Sequence, residues 1–377
     1  MVGEFQLGRI HGIPVKVHWT LLLFMPVLAW LFAAQLDDVR GTLPFFELDP
    51  APLETPAGRL FTGFVVVVGL FVSVLLHELG HAVVALRHKV GVKQITLWIF
   101  GGIALLEGIT RDPKAEAKIA AAGPAVSFAL GLMPAAFLLV EPGDYVRFVV
   151  VYLANLNVVL ALFNLVPAFP LDGGRLLRAA LATRMPFGRA TRISADIGKG
   201  LAVVMGLGGL LVGAVFLILI ALFIYMGASQ EAQGVELFDA LEGVSVAEIM
   251  DVHVPSVQSA DNLDGLVRLM LSTRTTGFPV VDDGSVVGIV TLSDLQEVPE
   301  SSRPLLHVRD AMTRDLVVVS PEARASAALR LMVEHEIGRL LVVRDGRLAG
   351  VVTRTGIMHA FEILRILPRG EAEELPE

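Results

Sequence analysis

Cysteine is absent from the 377-residue chain. Disulfides and thiolate metal ligands are therefore excluded, and any metal must be held by His, Asp or Glu. Charge is scarce: 18% of residues are charged, against ~25% in an average globular protein. There is no basic tract, and the formal net charge is −8, which argues against nucleic acid as a partner. The N-terminus (MVGEFQLGRIHGIPVKVHW) lacks a short apolar core with a small-residue cleavage site. No cleaved signal peptide is read there, and the first apolar run, from about His18 to Leu36, is expected to stay as a helix. No acidic group stands in register with Ser73 and His77 for a nucleophilic triad. No pair of carboxylates suggests a glycosidase cleft.

Apolar residues make up 54% of the chain, and they crowd into long runs before about residue 230. The remainder reads as ordinary soluble sequence, so two domains in two different solvents are expected. A membrane-spanning helix needs about 20 apolar residues. The runs Trp19–Leu36, Phe61–Leu86, Ala115–Val140 and Arg147–Val166 qualify. Ile193–Met226 is too long for one span; Gly206, Gly208, Gly209 and Gly213 offer a turn, and a division near Val212 gives six spans in all. Basic residues follow span 2 (Arg87, Lys89, Lys93) and span 4 (Arg175, Arg178, Arg184, Arg189, Arg192, Lys199), whereas the loop between spans 1 and 2 is acidic. Those basic ends are expected in the cytoplasm, and with six spans both termini lie there too.

Span 2 contains His77-Glu78-Leu79-Gly80-His81. On a helix, residues i and i+4 share a face. Two imidazoles there can share one zinc ion, with the adjacent glutamate as general base. Ionisable residues in an apolar helix are costly and mark function by default; buried histidines that merely brace a bundle are the plainer alternative. A catalytic zinc takes a third protein ligand, and the best candidate is Asp172, just past span 4. His81 lies about five residues, or ~7 Å, before the cytoplasmic end of span 2. Pro167 and Pro170 break the helix and can fold Asp172 back to that depth. A loop carboxylate that caps the following helix remains the alternative for Asp172 at this point. Asn164, inside an apolar span, is a candidate hydrogen-bond donor or an interhelical bridge.

These residues resemble the site-2 protease family of intramembrane metalloproteases. The matching positions are His77, Glu78 and His81, and Asn164–Gly173 as an N-x-x-P-x-x-P-x-D-G signature. The resemblance covers most of residues 1–230. It implies that His77, His81 and Asp172 bind one zinc ion, that Glu78 activates water, and that Asn164 donates to the developing oxyanion. It also implies a membrane-tethered regulator as substrate, such as an anti-sigma factor or pro-transcription factor. Gly123-Pro124 matches as well. Many relatives carry Asn three residues after that proline; here it is Ser127, to which no role is given. The segment Val92–Gly108 is rich in β-branched and aromatic residues and reads as two short strands. As a small membrane-associated hairpin it could pair with an unwound substrate.

Residues 231–243 read as a polar linker or short helix. A repeat follows: Val246–Met250 resembles Val308–Met312, and 312 − 250 gives an offset of 62, which also relates Gly288 to Gly350 and Thr291 to Thr353. Two copies make a tandem pair, in which each unit needs a partner to cover its sheet. The pair, 244–300 and 308–363, resembles CBS domains, with 364–377 as a polar tail. The resemblance implies adenine nucleotide (ATP, ADP or AMP) in the clefts between repeats, and a homodimer through the pairs. The pattern G-x-x-T-x-x-D fits Gly288, Thr291 (phosphate) and Asp294 (ribose). The second copy departs, with Gly356 in place of the acid, so one cleft is expected to bind and the other to be weak or empty.

The expected architecture is a polytopic α-helical membrane domain of about six spans with a small β-hairpin, joined to a soluble α/β CBS-pair domain. The expected function is intramembrane zinc endopeptidase, modulated by nucleotide, in the cell membrane of a bacterium or archaeon. The alternatives are a nucleotide-gated transporter or channel, which does not require the metal constellation, and an inactive scaffold.

Overall fold

The computed structural model describes residues 3–36, 51–99, 101–106, 110–133 and 143–366. It divides into two compact units, residues 1–233 and 234–377.

The first unit opens with an antiparallel hairpin, β1 (Glu4–Ile10) and β2 (Ile13–His18), turned by His11 and Gly12, both at positive φ. Strand β2 alternates, with Ile13, Val15 and Val17 inward. It runs straight into helix α1 (Trp19–Ala34). Helix α2 (Pro56–Arg87) starts where the Thr55 side chain accepts from Gly58 N–H and Pro56 sits in the first turn, a site where a missing amide costs nothing. Strands β3 (Val92–Trp98) and β4 (Gly101–Leu106) form an antiparallel pair. Because β2 pairs in parallel with β3, the sheet has the order β1-β2-β3-β4. The hairpin expected at 92–108 is therefore half of a four-stranded sheet; its last residues lie outside those described. Val17 and Leu97 from the sheet pack with Leu21 and Ala29 of α1 and with Val67, Phe71 and Val74 of α2.

Helix α3 (Pro113–Leu132) is capped by Asp112, which accepts from Lys114 N–H. Helix α4 (Asp144–Asn164) ends just before the proline loop, and the short α5 (Asp172–Ala182) follows. Helices α6 (Phe187–Val212) and α7 (Val215–Leu241) are separated at Gly213, which has φ 70°. Among the described residues, six helices of 16 residues or more overlap the expected runs, and the break at Gly213 falls near the expected division at Val212. By length and composition α2, α4, α6 and α7 can each cross a membrane. Helix α1, at 16 residues, is shorter than the ~20 that span a bilayer. The described part of α3 ends at Leu132, so residues 134–140 of the expected third span lie outside it, as does the acidic loop at 37–50.

The second unit is the repeat pair. Short α8 (Val246–Ile249), α9 (Leu263–Thr273), β5 (Gly277–Asp282), β6 (Ser285–Thr291) and α10 (Leu292–Gln296) form the first copy. Short α11 (Val308–Ala311), β7 (Val318–Val319), α12 (Ala325–Glu334), β8 (Arg339–Arg344), β9 (Arg347–Thr353) and α13 (Arg354–Ile366) form the second. The matching Asp-Gly turns, 283–284 and 345–346, share positive φ at both residues. The copies exchange their leading segments. Val246 sits in the core of the second copy with Leu329, Met332, Val342 and Val352. Val308 sits in the core of the first with Leu263, Leu266, Phe278 and Val290. Neither core is complete without the other copy's segment.

Phe278 is fully buried in the first of these cores. Phe278→Ala should destabilise the repeat pair by about 3–5 kcal/mol. Scanning calorimetry of the full-length protein should show the transition of that unit shifted to lower temperature.

Candidate functional site

Helix α2 presents His77 and His81 on one face, with ring centroids 4.9 Å apart. Asp172, the first residue of α5, points its Oδ2 at both: it lies 3.2 Å from His77 Nε2 and 3.2 Å from His81 Nε2. All three residues are buried, and their ligand atoms lie within 4.8 Å of one another. The capping alternative for Asp172 is not what the geometry displays: the N-cap of α5 is Leu171, and it makes no side-chain cap bond.

The outer nitrogens of both rings are engaged elsewhere. His81 Nδ1 is 2.7 Å from Ile119 O, and His77 Nδ1 is 2.8 Å from Ser127 Oγ. A carbonyl can only accept, so His81 Nδ1 donates to Ile119 O, and Nε2 is the nitrogen left to face Asp172. A buried carboxylate between two imidazoles needs positive charge beside it, whether a proton on Nε2 or a metal ion held by both rings. The donor set, two imidazole nitrogens and one carboxylate, is that of a catalytic zinc site. Gly123 of α3 closes the centre: a Cβ at this position would fall on the Nε2 atoms of His81 and His77. The residues present fit a zinc ion.

Glu78 Oε2 accepts the Ala104 N–H at 3.1 Å. Strand β4 is at the edge of the sheet, and no further strand among the described residues pairs with it, so that edge runs beside the glutamate. Asn164 is the last residue of α4, and its Nδ2 donates to Leu160 O at 3.0 Å along its own helix. The structure does not turn that amide toward the histidines. Ser73 accepts from Asn157 Nδ2 (3.0 Å) and donates to Gly69 O (3.0 Å), a structural bridge between α2 and α4.

The sequence marks Ser127 as a departure three residues after Pro124 but gives it no role; the structure gives it one, beside His77. The usable signal is spacing: Gly123 and Ser127 are four apart on one helix, so a residue facing the metal-side glycine predicts a polar partner one turn on.

In the second unit, a cleft of about 510 Å³ is lined by Thr276, Thr291, Asp294, Asp315, Glu336 and Arg339, among others. It takes in both nucleotide candidates of the first copy. Asp294 Oδ2 accepts from Thr291 N–H (2.7 Å) and Thr291 Oγ1 (2.8 Å), closing the first turn of α10. Arg339 donates to Gly277 O (2.8 Å) and Thr276 Oγ1 (2.7 Å), and burial draws its pKa below the ordinary guanidinium value. In the second copy Gly356 N–H donates to Thr353 Oγ1 (3.0 Å), and no carboxylate stands at that position.

A family model described as "Peptidase family M50" matches residues 65–148 and 140–205, and one described as "CBS domain" matches 246–300 and 308–363. The zinc metalloprotease MJ0392 of Methanocaldococcus jannaschii is 34% identical, over 96% of this chain and 97% of that one. Rip3 of Mycobacterium tuberculosis, provisionally named a zinc metalloprotease, is 34% identical over 97% and 95%. A solved structure, "Site-2 Protease from Methanocaldococcus jannaschii", is 36% identical and covers 61% of this chain and 95% of that one, with a TM-score of 0.42. With its apolar helices, the chain is an integral membrane metalloprotease that belongs to peptidase family M50, the site-2 protease family of zinc metalloproteases, and carries a pair of CBS domains.

Proposed function

We propose that this protease holds one zinc ion on His77, His81 and Asp172. We further propose that it hydrolyses peptide bonds within transmembrane segments of membrane-tethered regulatory proteins, such as an anti-sigma factor or pro-transcription factor. The observation that carries the reading is the convergence of the two Nε2 atoms on Asp172 Oδ2, with Glu78 beside them. Zinc bound there would supply Lewis-acid polarisation of a peptide carbonyl and a lower pKa for water. Glu78 takes the proton of the attacking water and later returns it to the leaving amine. A helical substrate hides its carbonyls, and each polar group freed in lipid costs several kcal/mol unless it is bonded again. The outer edge of β4 supplies those bonds to an extended strand. Asn164 donates to the oxyanion after leaving Leu160 O; that bond, like other neutral side-chain bonds, is worth only about 1 kcal/mol.

The basic residues after spans 2 and 4 place both termini and the CBS pair in the cytoplasm, as we read the chain. There the cleft at Thr291 and Asp294 takes an adenine nucleotide, Thr291 toward phosphate and Asp294 toward the ribose. Nucleotide binding biases access to the metal centre, and the pairs join two copies of the chain. A transporter reading does not account for a base set beside a three-ligand centre.

Three outcomes are expected. Glu78→Gln retains stoichiometric zinc, while cleavage of a membrane peptide in detergent falls by roughly 10²–10⁴-fold; full activity would remove Glu78 from the mechanism. Ser127→Ala loosens the His77 ring and weakens zinc affinity by about 10–100-fold, measured by competition with a chromophoric chelator, and Ser127→Asn restores most of it. Titration calorimetry of the full-length protein detects ATP, ADP or AMP, and Asp294→Asn, which keeps the helix cap acceptor, weakens that binding by about tenfold. Silence toward all three nucleotides would retire the regulatory part of the proposal.

A further inference from the structure

Arg178 is a charged side chain buried to 4% exposure in a membrane protein, and the chemistry above does not use it. It lies on α5, six residues after Asp172, about 9 Å along the helix axis. Its Nε donates to Glu116 Oε1 at 2.8 Å, and its Nη2 bonds the same oxygen. Its Nη1 bonds Glu231 Oε1. Two rings lie against the guanidinium, Phe169 at 4.9 Å to the ring centroid and Phe187 at 4.8 Å. Its neighbours are thus a carboxylate on α3, one on α7, a ring from the proline loop and a ring at the start of α6. A planar guanidinium can donate in its plane to carboxylates while its faces meet aromatic rings, which an ammonium cannot do.

The placement of these partners carries the argument. Helix α3 supplies Glu116, and one turn later Ile119 O, which orients His81; two turns beyond, Ser127 bonds His77. The same helix therefore sets the histidines and, through Glu116, grips the helix that bears Asp172. At the other end of α5, Gly173 and Gly174 lie against the backbone of residues 165–169. Two anchors on one short rod fix its axis and its roll, and Asp172 stands at the tip of that rod. Phe169 ties the loop that delivers Asp172 to the same guanidinium.

We infer that Arg178 is a positioning residue for the metal centre, holding Asp172 at the distance from His77 and His81 at which all three can bind one ion. The inference rests on the reading of Asp172 as a metal ligand. Glu116 is its principal partner, because it is 2% exposed, whereas the side chain of Glu231 is 38% exposed.

The test uses the full-length protein in detergent, loaded with zinc for affinity and with cobalt(II) for its visible spectrum, which reports ligand geometry. Arg178→Gln is expected to weaken metal binding by about 10–100-fold, the range for partners that orient ligands, and to shift the cobalt bands. Arg178→Lys recovers part of the affinity, and Glu231→Gln changes it less than Glu116→Gln. A merely structural ion pair would lower the melting temperature and leave the cobalt spectrum of the folded fraction untouched. Wild-type affinity and an unchanged spectrum in Arg178→Gln overturn the inference. Should that variant fail to fold, the same result in both Arg178→Lys and Glu116→Gln overturns it. Asp172→Ala serves as the separate control: if it keeps stoichiometric metal, the ligand reading itself falls, whatever the Arg178 variants do.

Discussion

Two imidazole nitrogens and a carboxylate oxygen meet inside an apolar helix bundle, at 3.2 Å, where burial leaves little water to screen their charges. In such surroundings electrostatic terms are several times stronger than at a surface, so the arrangement is tolerable only around a positive charge. That requirement accords with the polar groups that hold both rings and the base in place. The far nitrogens of both rings are bonded to fixed groups, which leaves the near nitrogens no choice of direction. The base is held by a strand amide rather than left to rotate.

Helix α3 acts as the template for this. Glu116, Ile119, Gly123 and Ser127 follow one another at intervals of three, four and four, so they share one face. Each does a different thing on that face. Glu116 binds the guanidinium of α5, Ile119 offers a carbonyl, Gly123 leaves the space that a Cβ would fill, and Ser127 offers a hydroxyl. A helix that makes four unlike contacts in about three turns cannot slide or roll without breaking several at once. Its precision is a property of regular helix geometry more than of any single strong bond.

This division also explains what could be read from sequence. The spans were legible because lipid demands long apolar runs, and the repeat because its offset is constant. His77, Glu78, His81 and Asp172 stood out because ionisable groups in apolar sequence are rare. Strands β1 and β2 were missed although Ile13, Val15 and Val17 alternate, because short strands beside an apolar helix give a weak signal and their partner β3 is some 80 residues away. The roles of Ser127 and Arg178 were not legible, for a different cause. Each matters only through a residue far away in the chain, His77 or Glu116, and nothing in their own neighbourhoods announces it. Asn164 is the converse case: the motif singled it out, and its amide is found bonded to its own helix.

The repeat pair follows the same logic in water. Both copies carry the glycine and threonine of one pattern, yet they close their helices differently. In the first, the Asp294 carboxylate closes the turn through Oδ2 and lies within the cleft, with Oδ1 3.5 Å from Thr313 Oγ1. In the second, Thr353 closes the turn through the Gly356 amide, and the position has no acid to offer. A ribose presents two neighbouring hydroxyls that a carboxylate can accept together and a glycine cannot. The two copies are therefore chemically unequal at this position even though their backbones repeat. On the proposed reading, the contact to a ribose is open to the first copy alone, so one nucleotide per pair is the stoichiometry that this asymmetry favours.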